Sequence, residues 1–378
     1  MAASRITAWH WLRTGDEAFA SMLGAIDVAR SSIQLETYIF SNDEIGRTFL
    51  AALLRAQQRG VKVRVLADGI GSLGLPGDFF STLTAAGGEA KIFNPLALKR
   101  ATIRNHRKLL VCDDQLAFIG GFNISQEYAG DGVERGWRDL GLRFEGDLAR
   151  DLAESFEVMF ALADFRHKRL IRLRQAKQKR IPTSGREQLL LGGPGRGSNP
   201  IRKALYKDLQ HARNTQIIEA YFLPMWRIRR ALNRIARKGS EVKLILAGKS
   251  DVALSQLAAR SLYRRLLKAG TQIYEYQPQI LHAKLLIFDD ALYVGSANLD
   301  PRSLSINYEL MVRFENPQMV AEAREIFTDA LKHSKVVELA AWKRSRTLWT
   351  RFKERCAYYF LARIDPHVAR RQWKALPD

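Results

Sequence analysis

Two short stretches of the chain carry the residue types that phosphoryl chemistry needs. Asn105 to Asn123 reads NHRKLLVCDDQLAFIGGFN, and Leu281 to Asn298 reads LHAKLLIFDDALYVGSAN. Each holds His-x-Lys-x-x-x-x-Asp, then a glycine pair or Gly-Ser, then Asn. These are His106, Lys108, Asp113, Gly120, Gly121 and Asn123 in one, and His282, Lys284, Asp289, Gly295, Ser296 and Asn298 in the other. One such tetrad arises by chance in roughly a few per cent of chains this long, so two in matched surroundings point to a duplicated functional unit. A neutral imidazole can attack phosphorus, and a second imidazolium can protonate the leaving alkoxide. The lysines and asparagine amides can hold the phosphate oxygens. That chemistry requires no metal ion and no cofactor.

The catalytic set read from the motif is therefore His106, Lys108, Asp113, His282, Lys284 and Asp289, with Gly121, Asn123, Ser296 and Asn298 as the substrate-binding set. Strand alternation divides the catalytic set. Positions 106 and 108 share a face, whereas 113, an odd offset away, projects from the other, which gives Asp113 and Asp289 a structural partner in place of an acid's role. A nucleophilic histidine also needs its second ring nitrogen oriented. Asp139 and Glu309, acids at comparable distances downstream of the two histidines, are the candidates, each expected to serve the histidine that precedes it.

The repeat extends to the elements that must hold these residues. Upstream, Ile33 to Phe40 matches Ile217 to Pro224, each a β-rich run followed by a helical pattern with Phe49, Leu50, Leu53 and Leu54, or Ile228, Leu232 and Ile235, on one face. Each helix ends at a glycine, Gly60 or Gly239, and leads into a β-branched strand, VKVRVLAD or EVKLILAG. Strand, helix, strand implies right-handed βαβ units. Arg166 to Arg186, dense in Lys and Arg, reads as a solvated helix end and linker. The expected domains are 1–187 and 188–378, each an α/β half with a mixed sheet flanked by helices, related by a pseudo-two-fold that brings both motifs to one site. Asp68 to Ser72, at a strand end, reads as a turn.

Composition bounds the partners. The chain has 378 residues, 47% of them hydrophobic, and 60 Lys and Arg against 39 Asp and Glu, a net charge of +21. Such a surplus favours an anionic partner: a phospholipid headgroup, a membrane surface or nucleic acid. Two cysteines, one inside an apolar run, leave a disulfide framework unsupported and fit a reducing compartment. The apolar stretches fall short of the ~20 residues that span a bilayer, so the expectation is a soluble or peripheral protein. From Trp342, the residues Trp342, Trp349, Phe352, Cys356 and Tyr359 recur at near-helical spacing among Lys343, Arg344, Arg346, Arg351, Lys353 and Arg355. This basic amphipathic pattern fits either a helix docked on the second half or one that meets an anionic membrane.

The duplicated HxKxxxxD followed by GGxN or GSxN closely resembles the phospholipase D superfamily. Within it, the runs ETYIF, RGVKVRVLADGIGS, WRDLGLRFEG, KSDVALSQLAARSLYRRLLKAG and GSANLDPRSLSINYE are most similar to bacterial cardiolipin synthases of the shorter type. The resemblance implies His106 as nucleophile and His282 as general acid and then base. Lys108, Lys284, Asn123 and Asn298 would hold the phosphate. It implies phosphatidyl transfer from phosphatidylglycerol, or from phosphatidylethanolamine, to a second phosphatidylglycerol through a phosphohistidine. The implied partner is an anionic phospholipid, met peripherally at the cytoplasmic face of the bacterial cell membrane. The spacer between Asp and the glycine pair is six residues in the first motif and five in the second, a tighter hairpin.

Other readings share these residues. Water as acceptor would give phosphatidic acid. A nuclease would suit the charge, but nucleases of this superfamily are often single-copy chains that dimerise, which disfavours nucleic acid as partner. A scaffold with a vestigial phosphate pocket is opposed by two intact motif sets.

Overall fold

The computed structural model describes residues 5–95, 102–163, 186–194 and 199–374. The segment read as helix end and linker, Arg166 to Arg186, lies outside them except for Arg186.

The first sheet comprises β1 (Ala8–Leu12), β2 (Ser32–Thr37), β3 (Lys62–Asp68), β4 (Glu89–Phe93), β5 (Leu109–Cys112), β6 (Leu116–Gly120) and β7 (Gly141–Glu145). Their spatial order is β1-β7-β6-β5-β2-β3-β4. The second comprises β8 (Glu187–Gly192), β9 (Asn214–Glu219), β10 (Glu241–Ala247), β11 (Gln272–Tyr276), β12 (Lys284–Phe288), β13 (Ala291–Gly295), β14 (Glu309–Phe314) and β15 (Ser334–Val336). Read from β8, its order is β8-β14-β13-β12-β9-β10-β11-β15, the same path with one strand added at the edge. In each sheet three strands run parallel, β2-β3-β4 and β9-β10-β11, and the motif strands pair antiparallel to them. Both sheets are thus mixed and flanked by helices, as the sequence led us to expect.

Local chemistry explains the parallel units. Helices Glu44–Gln58 and Trp226–Arg237 present Phe49, Leu53 and Ile228, Leu232, Ile235 to buried positions at helical spacing. Gly60 and Gly239 follow at φ 88° and 81°, left-handed conformations that glycine adopts without a Cβ penalty. The β-branched runs of β3 and β10 are buried on both faces toward their C-terminal ends, as strands covered by helices must be.

One apolar cluster joins the two halves. It links Leu109, Phe144 and Leu152 of the first with Leu285, Phe314 and Phe327 of the second, through helices Asp147–Ala161 and Pro317–Lys332. Two further clusters lie under the outer helices of each half. The motif strands β5 and β12 contribute to the shared cluster from one face and to an outer cluster from the other, so their ends are fixed from both sides. Among the described residues no helix is long and apolar enough to cross a membrane.

Candidate active site

Two bridges between the halves build the site. His106 donates its backbone N–H to the Tyr308 carbonyl at 2.9 Å, and Tyr308 donates to the Arg104 carbonyl at 2.9 Å. On the other side His282 donates to the Arg138 carbonyl at 2.8 Å, and Arg138 donates to the Ile280 carbonyl at 2.8 Å. Each motif therefore enters its strand while paired with the segment that leads into the other half's acid.

The consequence is a crossed pair of carboxylates. His106 Nδ1 lies 3.2 Å from the Glu309 carboxylate, and His282 Nδ1 lies 2.6 Å from Asp139. The expectation that each acid serves the histidine preceding it is corrected here: sequence order separates what the bridges at Tyr308 and Arg138 bring together. A carboxylate on Nδ1 holds the ring proton there and leaves the lone pair on Nε2 for chemistry. Glu309 also accepts from the Ser296 hydroxyl at 2.5 Å, and Asp139 accepts from the Leu140 amide at 2.8 Å. Gly121 stands where the second half has Ser296, and a Cβ there would lie 2.0 Å from Asp139 Oδ1. Only glycine leaves room for that carboxylate.

Lys108 and Lys284 are buried beside their histidines. Lys108 donates to the His106 carbonyl at 2.9 Å, and its amine lies 5.3 Å from the centre of the Tyr38 ring. Lys284 bonds the His282 carbonyl and lies 2.9 Å from His282 Nδ1. Burial, together with repulsion from Lys284, drives the Lys108 amine down to about 7. Burial and then Lys284 lower His282 to about 4, against the pull of Asp139; burial and Lys108 likewise lower His106 against Glu309. Burial alone would raise Asp139, but His282 and Lys284 more than reverse it. Burial and the neighbouring lysines thus hold both imidazoles below their ordinary basicity, against the two carboxylates. An anion bound between the lysines offsets that repulsion and raises the basicity of the histidines.

Aromatic rings enclose both imidazoles. Tyr38 packs edge-on to His106 at 5.0 Å, while Tyr128, Trp137 and Tyr221 surround His282 at 5.4, 5.8 and 6.0 Å. The Tyr221 hydroxyl donates to Asp251 at 2.7 Å. These residues were not among the sequence candidates. Tyr38 and Tyr221 had a signal, since they occupy the same place in the repeated ETYIF and EAYFL runs. Tyr128 and Asp251 lie outside the repeated motifs.

The remaining candidates divide. Asn123 accepts from the Ile39 amide at 3.0 Å and donates to the Tyr128 hydroxyl at 2.6 Å, so it braces the wall of the site. Asn298 is buried with its carbonyl oxygen lacking a protein hydrogen bond. Asp113 and Asp289 stand at the far ends of β5 and β12, about 16 Å of strand away from their lysines. Asp113 accepts from the amides of Arg30, Ser31 and Ser32 at 2.7 to 3.2 Å and from the Ser31 hydroxyl at 2.8 Å. Asp289 accepts from Arg213 and Asn214 at 2.7 to 3.1 Å. Both sit at positive φ, 54° and 49°, in turns that they hold by bonding the strand start beside them. At the end of β3, buried Asp68 accepts from the Ile70 and Gly71 amides at 2.9 and 3.1 Å, which makes Asp68 to Ser72 a turn, and pairs with Arg104 at 3.1 Å.

Residues 22–159 and 205–331 match a family model described as cardiolipin synthase, PLD-like domain. Cardiolipin synthase B of Salmonella typhi is 35% identical over 385 residues, covering 97% of this chain and 93% of that protein. Cardiolipin synthase B of Escherichia coli K12 is 35% identical over 360 residues, covering 93% and 86%. Cardiolipin synthase 1 of Bacillus anthracis is 32% identical over 378 residues, covering 97% and 73%. Among solved structures, phosphatidylserine synthase of Haemophilus influenzae Rd KW20 superimposes with a TM-score of 0.73 at 16% identity, over 96% of this chain and 94% of that one, which is a likeness of fold. With the model matched once in each half and relatives aligned along nearly the whole length, the chain belongs to the cardiolipin synthase family built on two phospholipase D-like domains.

Proposed function

We propose that this chain is a phosphatidyltransferase that makes cardiolipin from phosphatidylglycerol. The observation that supports it most is the pair of buried histidines, each with Nδ1 on a carboxylate of the opposite half and each beside a buried lysine. The names of relatives aligned along nearly the whole chain point the same way.

In the first step Nε2 of His106 attacks phosphorus of a phosphatidylglycerol held between Lys108 and Lys284. The bond from phosphorus to the glycerol headgroup oxygen breaks, and His282, protonated in the presence of the phosphate anion, gives its proton to that oxygen. Glycerol leaves and the phosphatidyl group stays on His106. In the second step His282 takes the proton of a headgroup hydroxyl on a second phosphatidylglycerol. That oxygen attacks phosphorus, the phosphorus–nitrogen bond breaks, and cardiolipin leaves. Glu309 and Asp139 stabilise the positive charge on whichever imidazole bears it. His106 is given the nucleophile's role because its side chain is the more open, 10% exposed against 5% for His282. Phosphatidylethanolamine can replace the first lipid by the same bond changes, releasing ethanolamine.

Both substrates reside in a bilayer, so the chain must meet the membrane surface. A peripheral position on the cytoplasmic face of the bacterial cell membrane fits the positive charge and the reducing compartment that the cysteines suggest, and nucleic acid is not the partner. The halves divide at residue 187. The test is mass spectrometry of lipids after incubating the protein with phosphatidylglycerol vesicles, with and without phosphatidylethanolamine. Cardiolipin from wild type and none from His106→Ala or His282→Ala is the expected result. Phosphatidic acid alone would replace transfer by hydrolysis, and no lipid product would overturn the reading.

A further inference from the structure

Thirteen large apolar side chains stand open to solvent among the described residues, and seven of them lie between Leu348 and Val368. Leu348, Trp349, Phe352 and Tyr359 are carried by helix Leu348–Tyr359, Phe360 and Ile364 by the wide turn that follows it, and Val368 by the next helix. Leu348 is 82% exposed and Trp349 63%. An amphipathic helix that only needed to dock on its own domain would turn such residues inward. Here Glu354 and Ala357 are buried instead, Glu354 pairing with Arg346, while Trp342, Tyr358 and Leu361 pack half-buried against the domain, Trp342 at 4.8 Å from the Tyr263 ring.

The outward side is organised. The rings of Trp349 and Phe352 stack at 5.5 Å with 15° between their planes, and the Lys353 amine lies 5.3 Å from the Trp349 ring. Arg351, Lys353, Arg355 and Arg363 are exposed beside them. Arg229 joins this surface to a neighbouring helix by donating to the Tyr358 hydroxyl at 2.8 Å; three residues earlier Trp226 is exposed, with Arg230 over its ring at 5.2 Å. The surface also reaches the site. Asp365 pairs at 2.7 Å with Arg302, which follows the second motif and donates to the Thr102 carbonyl of the first half at 2.8 Å. Exposed Val252 and Leu254 adjoin Asp251, the partner of Tyr221 beside His282.

We propose that this face docks on an anionic phospholipid bilayer, with its rings and aliphatic side chains among the headgroups and its cations on lipid phosphates, so that the rim formed by Asp251 and Arg302 opens onto the lipid surface. It rests on the reading above only in taking the substrates to be bilayer lipids. Apolar side chains ringed by arginine and lysine match a surface that is anionic outside and apolar beneath. A second copy of this chain is the poorer fit, because the same four cations would face their own kind.

The test uses the full chain with vesicles of phosphatidylglycerol and phosphatidylcholine, and with phosphatidylcholine alone. Wild type is expected to sediment with the anionic vesicles, less so as salt rises. Trp349→Glu with Phe352→Glu is expected to weaken that binding about tenfold or more without changing the melting temperature, since both side chains are exposed. Turnover of vesicle lipid should fall with binding, while turnover of short-chain phosphatidylglycerol below its micellar concentration stays as in wild type. Undiminished vesicle affinity in the double variant would overturn the proposal. So would an unchanged vesicle affinity together with loss of self-association, which would make the face a contact between copies. A wild type that binds vesicles and turns over no lipid would sink the catalytic reading and leave the docking face standing.

Discussion

Beside the two histidines the duplicated halves share a strand order and differ in what fills it. In the first, His106 lies between Asn105, which donates to Glu36 at 2.7 Å, and Arg107, which pairs with Glu36 at 3.1 Å and donates to the Ser155 hydroxyl at 2.7 Å. In the second, the flanking residues are Leu281 and Ala283. Glu219, the counterpart of Glu36, is raised well above the ordinary carboxylate range by burial, which Lys284 only partly offsets. The acids differ in the same way: Asp139 fits against a glycine, whereas Glu309 takes a hydroxyl from Ser296. What the halves keep in common at the centre is the histidine, its lysine and a carboxylate from across the interface, and within each half the turn aspartate, Asp113 or Asp289. What differs is the packing on either side of each histidine.

The largest test of that symmetry is removal of either histidine. His106→Ala and His282→Ala should each lower steady-state turnover by about 10⁴-fold or more, because the proposed nucleophile and proton donor act in one step. A phosphodiester with an activated phenolic leaving group separates the roles. It needs no proton donor, so His282→Ala should still release the phenol in a single burst and His106→Ala should not; the opposite pattern would exchange the assignments.

A sharper comparison exchanges the small residues beside the acids. Gly121→Ser forces a side chain onto the Asp139 carboxylate and should lower kcat about a hundredfold, by misorienting His282. Ser296→Gly removes one hydrogen bond from Glu309 and should cost about tenfold or less. Equal effects in steady-state assays would mean that the two acids are held alike after all.

The lysines give a pH signature. The Lys108 amine is held down at about 7, so it is charged below that pH and neutral above it. In the proposed reaction its charge holds the phosphodiester, and kcat/KM should therefore decline as pH rises past about 7, by about tenfold per unit. Arginine does not titrate in this range, so the residual activity of Lys108→Arg should lack that alkaline limb. A profile that stays flat to pH 9 in wild type would remove Lys108 from phosphate binding.

The smallest effect belongs to the motif aspartates. Asp113→Ala removes bonds to three amides and a hydroxyl and should lower stability by about 1–2 kcal/mol, with Asp289→Ala costing less because only two amides are lost. Urea unfolding and turnover per folded molecule distinguish this from a catalytic role, which would lower turnover instead.

The sequence by itself determined the repeat, and with it most of the fold. Alternation in VKVRVLAD, the helical faces at Phe49 and Ile228 and the glycines at 60 and 239 are local features, set by backbone geometry and the burial of one face. The motif spacing likewise placed the aspartates away from the histidines, because the five residues from Lys108 to Asp113 span about 16 Å of strand and carry the aspartate into the turn beyond it. Parity and periodicity carry no information about which half an acid will serve. That Glu309 turns to His106 and Asp139 to His282 follows from the backbone bridges at Tyr308 and Arg138, which form only when the two sheets pack. The C-terminal segment shows the same limit. Its helical spacing was legible, but both sides of that helix contain apolar and basic residues, and the side that Tyr263 and its neighbours left outward was decided by packing. Local patterns fix what a segment can bury; only the assembled neighbours fix what it does bury, because burial is a property of contacts between parts of the chain far apart in sequence.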